Sequence, residues 1–259
     1  MLSNKILEVK NLEKSFLDPN NNPFKVLNDI SLSLDSGEIL GLVGESGSGK
    51  TTLGRIIIRL LNSDSGQILF DGQDITTLPK KMMRKIRRNM QIIFQDPFGS
   101  LNPRHTIRRI ISEPLIIHHY KENILDRVYE LLHEVGLDKS SINLYPHEFS
   151  GGQRQRIAIA RAIALKPKFL IADESVSALD VSIQSQILNL ISRLVRENNI
   201  SMIFISHDLS VIRHISDNIA VMNKGSIVEH GKTEDVLVKP THNYTKMLIN
   251  AVPGFKTNF

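Results

Sequence analysis

Apolar and polar positions alternate in the first part of the chain in a way that predicts strands. Residues 6–9 and 30–34 alternate with a period of two, as expected for strands with one buried face. Residues 18–23 are rich in Asn and Pro and predict the turn or loop between them. Residues 39–43 form an apolar run that predicts a further strand. The pattern therefore predicts an antiparallel layer ahead of the main core.

The rest of the chain mixes strand patterns with helical periodicity. Short apolar segments predict strands at 67–72, 90–94, 169–172 and 201–205. Helix-forming segments lie at 53–61, 107–135 and 154–165, and residues 96–103 predict a loop. Because the helical periodicity interrupts the run of strands, we interpret this part as an inserted α-helical subdomain. The pattern as a whole predicts the α/β fold class.

Length and composition place the chain among ordinary globular proteins. Its 259 residues suffice for one sizeable α/β domain, or for a core domain with an inserted subdomain. Residues are 41% apolar and 23% charged. Because no apolar run reaches membrane-spanning length and residues 1–11 lack a signal-peptide stretch, we expect a cytoplasmic protein. The absence of cysteine excludes disulfides, thiolate zinc sites and cysteine-held iron–sulfur clusters.

The positive net charge widens the range of possible partners. A formal charge of +5 is compatible with an acidic ligand, with nucleic acid or with an anionic membrane surface. The densest basic run lies at residues 80–88, where Met83, Ile86 and Met90 would share one helical face. Its charges then point mostly outward. We interpret the run as a solvated helix face.

A glycine-rich segment follows the apolar run at 39–43 and precedes a helix-forming run. Residues 44–52 read GESGSGKTT and match G-x-x-x-x-G-K-[ST] completely. Gly44 and Gly49 allow tight turns that point backbone N–H groups at phosphate oxygens, Lys50 adds a positive charge, and the Thr51 hydroxyl is placed to bind magnesium. The alternative is a simple glycine-rich turn that opens a helix. The match after a strand favours a nucleoside triphosphate site.

A second potential anion site lies at residues 149–153. Ser150 is placed to cap the helix predicted from residue 154, and Gly151 and Gly152 expose backbone N–H groups at its positive end. Taken alone, the segment is better interpreted as an ordinary helix cap. The alternative is a second anion site in a chain with only one phosphate loop.

Polar residues follow two of the predicted strands. Asp173 and Glu174 follow the strand at 169–172, and His207 follows the strand at 201–205. Ligands of parallel sheets bind at the carboxyl ends of the strands. There Asp173 suits second-shell coordination of Mg²⁺, Glu174 suits a general base that activates water, and His207 suits contact with a terminal phosphate. The alternatives are a solvated strand end and an ordinary surface or core histidine.

The order of these motifs resembles the ATP-binding cassette ATPases over nearly the whole chain. The motifs are the phosphate loop, Gln95 after a strand, residues 150–153, Asp173 with Glu174, residues 177–180, and His207. The resemblance implies a P-loop NTPase (RecA-like) core with an antiparallel β subdomain and an inserted α-helical subdomain at about 97–160. It further implies a single ATPase domain at 1–230 and a C-terminal extension at 231–259.

The resemblance also implies a role for each matching residue. Phe16 would stack on adenine, Gln95 would sense metal and attacking water, Glu174 would be the catalytic base, and His207 would contact the γ-phosphate. Magnesium would be held by Thr51, Gln95 and Asp173. The ATP-binding loop would comprise Gly44, Glu45, Ser46, Gly47, Ser48, Gly49, Lys50, Thr51 and Thr52. The residues that would act on the ATP held by a second cassette are Ser150, Gly151, Gly152 and Gln153. The residues that would lie at the dimer seam are Ser177, Ala178, Leu179 and Asp180.

A finer resemblance is to ATPases of oligopeptide, dipeptide and nickel importers, and to one of their two paired types. It rests on residues 94–104, 176–182 and 240–245, with Asn243 where the family usually has Pro. Ser175 likewise replaces the Pro that commonly follows the catalytic Glu, which puts the rigidity of that loop in question. The resemblance implies peptide import, with nickel as the alternative cargo.

The implied partners are other subunits of a transporter. They are a second, similar cassette or a second copy of this chain, two membrane-spanning permease subunits and, indirectly, an extracytoplasmic substrate-binding protein. The chain would then be peripheral, at the cytoplasmic face of the cell membrane, docking through residues 95–104, including Phe98 and Leu101, and through the helical insert. Cassette ATPases of DNA repair or translation and exporter subunits are the alternatives. The repair and translation ATPases fit less well, since the chain has one cassette and no sustained heptads. The tail and the loop after Gln95 argue against an exporter, and no nucleic-acid partner is expected.

Overall fold

The computed structural model describes residues 5–176 and 179–251, and it describes Pro97 and Phe98 by their backbone alone. The chain divides into two units, which are described separately below. The first unit combines Met1–Met83 with Ser201–Phe259, and the second is Arg84–Ile200. The predicted domain bounds of 97–160 for the insert and 231–259 for the extension stay predictions.

An antiparallel sheet forms one layer of the first unit. The long strands β1 (Lys5–Leu17) and β2 (Pro23–Asp35) pair with each other, and β1 also pairs with β4 (Ser65–Phe70), which carries the short β5 (Gln73–Asp74) at its edge. Both predicted strands in this region are therefore confirmed, although each is longer than its alternating segment. Residues 18–22 form the connection, as the polar pattern predicts.

A second group of strands in the first unit surrounds β3 (Ile39–Val43). It pairs in parallel with β8 (Ser201–Ser206) on one side and with β9 (Asn218–Asn223) on the other, and β10 (Ser226–Lys232) is antiparallel to β9. Every residue of β3 and β8 is buried, as expected for parallel strands covered on both faces. The helices wholly within this unit are α1 (Lys50–Ile57), α8 (Leu209–Ile215), α9 (Thr233–Val238) and α10 (Asn243–Asn250).

The second unit combines a parallel strand pair with helices. Strand β6 (Met90–Ile93) pairs in parallel with β7 (Phe169–Asp173), whose residues are all buried. The α-helices are α2 (Lys80–Ile86), which contains the boundary between the units, then α3 (Pro97–Ser100), α4 (Ile107–Ile117), α5 (Ile124–Glu134), α6 (Gly151–Ile163) and α7 (Val181–Glu197). Two short 3₁₀ helices lie at Lys139–Asn143 and Pro146–Glu148. The α/β prediction is confirmed.

Two predicted helices end earlier than their periodicity suggests. Helix α1 stops at Ile57 instead of residue 61, because Arg59 has a φ of 59° and the Leu60 N–H donates back to the Arg55 carbonyl at 2.8 Å. The helical periodicity predicted at 107–135 is divided between α4 and α5. His119 has a φ of 51°, and the Tyr120 N–H donates to the Leu115 carbonyl at 2.9 Å, which ends α4 in the same way.

Three other local predictions are corrected. The segment 96–103 is not all loop, because the short α3 lies within it. Helix α6 begins at Gly151 instead of residue 154, directly after its cap. Helix α2 ends at Ile86, so Met90 begins β6 and shares no helical face with Met83. The outward direction of the basic run is confirmed for Lys80, Lys81, Arg84, Lys85 and Arg88, which are all exposed.

Candidate functional site

The glycine-rich loop between β3 and α1 has a backbone that requires glycine. A Cβ atom added to Gly44, whose φ is +155°, would lie 2.0 Å from the carbonyl oxygen of Met222 in β9. A Cβ added to Gly49, whose φ is +105°, would lie 2.9 Å from the carbonyl oxygen of Val26 in β2. Both positions therefore combine a backbone conformation that L residues avoid with close approach of another backbone.

The side chain of Lys50 folds back into this loop. Its ammonium donates to the Gly44 carbonyl at 2.7 Å, to the Glu45 carbonyl at 2.8 Å and to the Ser48 hydroxyl at 3.4 Å, and the residue is only 4% exposed. Helix α1 starts directly at Lys50, and its N-cap Gly49 provides no side-chain cap. The positive end of the helix and a buried ammonium thus lie together, which is the arrangement that binds phosphate groups.

The loop and His207 follow neighbouring strand ends. Because β3 and β8 are parallel, Val43 lies opposite Ser206, so both segments leave the sheet at the same edge. His207 is exposed there. The next residue, Asp208, caps α8 by accepting from the Ser210 N–H at 2.8 Å. The predicted common edge for the phosphate loop and this histidine is therefore present within the first unit.

Phe16 lies near the end of β1, opposite Phe24 of β2. The ring centroids are 6.2 Å apart, and the Lys14 ammonium lies 5.3 Å from the Phe16 centroid. Phe16 is half-buried and Phe24 is 49% exposed. Phe16 is therefore not part of the buried core, and its ring keeps an accessible surface beside a cation.

In the second unit, Gln95 and Glu174 come together. They follow the parallel strands β6 and β7, in which Ile93 lies opposite Ala172. The Gln95 amide Nε2 donates to Glu174 Oε2 at 2.8 Å. Glu174 has a φ of 43°, an uncommon conformation for a residue other than glycine, and Asp173 before it is 3% exposed. The strand ends therefore bring the Gln95 amide into direct contact with the carboxylate of a residue whose backbone is strained.

Ser175 follows in a buried position. It is 2% exposed, and its hydroxyl has no hydrogen-bond partner among the described residues. A buried hydroxyl without a partner destabilises a fold. The replacement of Pro by Ser at this point thus introduces a polar group that no described residue satisfies.

Helix α6 begins with a capping box. The Ser150 hydroxyl accepts from the Gln153 N–H at 3.3 Å, and the Gln153 side-chain oxygen accepts from the Ser150 N–H at 3.0 Å. The predicted cap is therefore confirmed. A Cβ added to Gly152 would lie 2.6 Å from Cγ2 of Ile183 in α7, so this glycine allows the two helices to approach closely.

The segment before α7 is described in part. Asp180 is the N-cap residue of α7, although its side chain makes no capping hydrogen bond, and it is exposed. Leu179 is half-buried. The other two residues predicted for the dimer seam, Ser177 and Ala178, lie outside the described residues.

One contact of the phosphate loop escapes sequence reasoning altogether. The Glu45 N–H donates to the hydroxyl of Tyr244, 199 positions later in the chain, at 3.0 Å. Tyr244 lies in α10 and is 8% exposed. The G-x-x-x-x-G-K-[ST] motif spans only eight residues and carries no signal for such a distant partner.

Comparison with known proteins identifies the family. A family model described as ABC transporter matches residues 27–177, more than half of the chain. This chain belongs to the ABC transporter family. It is an ATP-hydrolysing transport ATPase, and the resemblance predicted from the order of the motifs is confirmed.

Curated relatives of this cassette share about half of its residues. The oligopeptide transport ATP-binding protein OppF of Streptococcus mutans is 50% identical over 252 residues, which cover 96% of this chain and 82% of the relative. OppF of Bacillus subtilis is 49% identical over 256 residues, covering 97% and 84%. AppF of Bacillus subtilis, also named an oligopeptide transport ATP-binding protein, is 53% identical over 232 residues, covering 88% and 70%.

Solved cassettes have the same fold. A dimeric structure of the ATP-binding cassette MJ0796, in a post-hydrolysis state bound to ADP and Pi, matches with a TM-score of 0.79 and 29% identity, covering 88% of this chain and 98% of that one. The cbiO1 protein of Clostridium perfringens, part of the ABC transporter complex cbiONQ, matches with a TM-score of 0.79 and 29% identity, covering 90% of each chain. The predicted P-loop NTPase class is thereby confirmed.

The surface predicted for docking of this cassette needs one correction. Leu101 is 1% exposed and contributes to the core of the second unit, so it presents nothing to a partner. Asn102, Pro103 and Arg104 are exposed, whereas the Phe98 side chain lies outside the described residues. Among the residues described, no helix is long and apolar enough to cross a membrane.

Proposed function

We propose that this cassette hydrolyses ATP to drive the uptake of peptides through a membrane importer. The observation that carries the peptide class is the identity of about one half, over nearly the whole chain, to proteins named oligopeptide transport ATP-binding proteins. Nickel is the alternative cargo. Neither Phe16 nor the phosphate loop would distinguish the two, because an ATPase subunit need not touch the cargo.

The phosphate-binding role rests on the geometry of residues 44–52. Backbone N–H groups in the loop and the first turn of α1 would bind the phosphates, and the Lys50 ammonium would leave the carbonyls of Gly44 and Glu45 to meet phosphate oxygens. Phe16 would stack on the adenine through its accessible face. Thr52 follows Thr51 in the first turn of α1. Its backbone N–H therefore lies at the positive end of the helix.

Magnesium is assigned to Thr51, Gln95 and Asp173, of which Asp173 acts from the second shell. These side chains offer hydroxyl, amide and carboxylate oxygens, which are the donors that Mg²⁺ prefers. When bound with the nucleotide, the ion neutralises charge on the phosphate oxygens. Asp173 is buried and Gln95 is exposed, so the carboxylate is held in place by its surroundings while the amide can reach a ligand.

The catalytic base of the proposal is Glu174. Its Oε2 accepts from Gln95, which fixes the direction of the carboxylate that would take a proton from the attacking water. The strained backbone of Glu174 is compatible with a functional position. His207 would contact the γ-phosphate from the edge of β8. This division of roles assigns proton transfer to Glu174, orientation to Gln95 and charge stabilisation to His207.

The proposal includes a second cassette. The capped start of α6, residues 150–153, would close on ATP held by the partner, and residues 177–180 would lie at the seam. We propose a similar but non-identical partner, with a second copy of this chain as the alternative. Two permease subunits and, indirectly, a substrate-binding protein complete the importer, and attachment at the cytoplasmic membrane face is peripheral. We expect no nucleic-acid partner.

The test uses a strain that lacks this chain and measures uptake of a labelled peptide and of nickel. Wild type should restore peptide uptake, and Glu174→Gln should not, because the amide can still accept from Gln95 but has lost its basicity. Single-turnover hydrolysis by Glu174→Gln should fall about 10²- to 10⁴-fold with ATP binding retained. Glu197→Gln is the matched control, since this exposed carboxylate pairs with Arg193 at 3.5 Å on the surface of α7.

Three outcomes would contradict the proposal. Normal hydrolysis by Glu174→Gln would remove this residue from the mechanism. Lost nickel accumulation with unchanged peptide uptake would reverse the assignment of cargo. A purified transporter containing two copies of this chain and no other cassette would refute the pairing with a non-identical partner.

A further inference from the structure

The peptide group between Gly44 and Glu45 is held at both ends. Its carbonyl oxygen, on Gly44, accepts from the Lys50 ammonium at 2.7 Å, and its N–H, on Glu45, donates to the Tyr244 hydroxyl at 3.0 Å. The C=O and N–H of one trans peptide point in opposite directions. The ammonium and the hydroxyl thus fix the rotation of this peptide group about the chain axis.

The C-terminal segment that carries Tyr244 is itself anchored. The carboxylate of Glu229, in β10, accepts from the Thr241 N–H at 2.6 Å, from the Thr241 hydroxyl at 2.9 Å and from the His242 N–H at 3.1 Å. The ring Nδ1 of His242 then accepts from the Tyr244 N–H at 3.1 Å and caps α10. These bonds determine where the tyrosine ring enters the fold.

The charge state of the two groups suits this arrangement. Burial by itself would raise the pKa of Glu229, but the hydrogen bonds from Thr241 and His242 outweigh it and lower the pKa, so the anchor is ionised at neutral pH. Burial raises the pKa of Tyr244, so its hydroxyl stays neutral. A neutral hydroxyl can accept from the Glu45 N–H without placing a negative charge beside the phosphate loop.

We propose that Tyr244 is a positioning residue for ATP binding, which its hydroxyl promotes by keeping the Gly44–Glu45 peptide in one orientation. When the Glu45 N–H donates to the tyrosine, the Gly44 carbonyl of the same peptide group keeps its direction toward Lys50. The N–H groups that follow in the loop are then ordered before the nucleotide arrives. Ordering in advance lowers the cost of binding. This inference rests on the proposed phosphate-binding role of residues 44–52 and adds to it a dependence on the C-terminal segment.

The experiment measures dissociation constants for MgATP and ADP by calorimetry, together with kcat and KM, on the purified full chain. Tyr244→Phe keeps the ring and removes the hydroxyl, and we expect both dissociation constants and KM to rise about three- to tenfold, because a lost hydrogen bond leaves its N–H unsatisfied. We expect kcat at saturating ATP to change less than about twofold, because the chemical groups are untouched. Tyr120→Phe is the matched control, since its hydroxyl bonds to Glu122 at 3.1 Å in the other unit; its affinity should equal that of wild type.

A second variant tests the path of the effect. Glu229→Gln should weaken nucleotide binding in the same direction, and the double variant Tyr244→Phe/Glu229→Gln should bind no more weakly than Tyr244→Phe alone, because the carboxylate acts through the tyrosine. Additive losses would overturn this path. A lowered melting temperature with unchanged affinity and KM in Tyr244→Phe would overturn the inference and leave the tyrosine a structural residue.

Failure of this inference and failure of the proposed function give different results. If Lys50→Ala binds ATP as wild type does, residues 44–52 are not the nucleotide site and the proposed function fails with them. If Lys50→Ala loses ATP and Tyr244→Phe does not, the phosphate loop keeps its role and only the positioning by Tyr244 is refuted.

Discussion

Alanine at Gly44 tests how tightly the phosphate loop is held by the rest of the first unit. An added Cβ would lie 2.0 Å from the Met222 carbonyl oxygen and 3.0 Å from the Ser48 hydroxyl. The first of these atoms is backbone in the middle of the sheet, so it cannot move away as a flexible side chain would. Alanine would also have to adopt a φ of +155°. The loop must therefore shift, or β9 must distort.

The expected cost has two parts. A non-glycine residue in such a backbone conformation costs about 1 to 3 kcal/mol, and insertion of a methyl group into close-packed surroundings costs about 1 to 3 kcal/mol more. Gly72 separates the two terms. Its φ is +76°, and a Cβ added there meets no atom within 4 Å, so Gly72→Ala measures the cost of a positive φ without a clash. We expect Gly72→Ala to cost about 1 to 2 kcal/mol and Gly44→Ala to cost roughly 2 to 6 kcal/mol.

Urea denaturation of the two variants beside wild type measures both costs as free energies of unfolding. ATP binding provides the second readout, because the shift of the loop should weaken binding in Gly44→Ala and leave it intact in Gly72→Ala. If the two variants agree within about 0.5 kcal/mol, the typical limit for independent surface changes, the clash with Met222 is relieved without cost. Tertiary contacts would then not determine the conformation of the loop.

Two further predictions concern single side chains. Ser175→Ala should raise the free energy of unfolding by about 1 kcal/mol, because it removes a buried hydroxyl without a partner among the described residues. A melting temperature below that of wild type would contradict this prediction. Ser185→Ala is the control, because Ser185 is exposed and its hydroxyl donates to the Val181 carbonyl at 3.1 Å. Burial raises the pKa of Glu229, but hydrogen bonds from Thr241 and His242 outweigh it, so the pKa is lowered in the folded protein. The Glu229 carboxylate therefore stabilises the folded protein fully above the ordinary pKa of 4.5. This stabilisation is lost as the pH falls through the lower folded-state pKa. The difference in melting temperature between wild type and Glu229→Gln should therefore shrink as the pH falls below 4.5, and a constant difference would refute the linkage.

Local signals predicted the strands and the caps well. Alternation with a period of two located β1 and β2, and Ser150 was recognised as a cap because a small hydroxyl residue stood directly before a helix-forming run. Helix ends were predicted less well. The residue type of Arg59 does not indicate a left-handed backbone, and that of His119 indicates it only weakly, so the ends of α1 and α4 depend on packing that periodicity does not report.

The candidate site shows the same division between local and distant information. The rule that ligands bind at the carboxyl ends of parallel strands predicts that polar residues after such strands share an edge. The 2.8 Å hydrogen bond between Gln95 and Glu174 follows from this rule, but the sequence alone does not reveal it. The pairing of β6 with β7 had to be known first. The structure shows how α10 accommodates Asn243 in place of Pro. Asn243 is the first residue of α10, where proline is favoured but not required, and His242 caps the helix.

The phosphate loop is defined by more than its own motif. The motif supplies residues that permit an unusual backbone, but its conformation is selected by neighbours: β9 contributes the Met222 carbonyl against Gly44, β2 contributes the Val26 carbonyl against Gly49, and the C-terminal segment contributes Tyr244. Because each contact comes from a different stretch of chain, the loop can hold its conformation only when the whole first unit has folded. Nucleotide affinity should therefore respond to substitutions in β9 and α10 that never touch a phosphate.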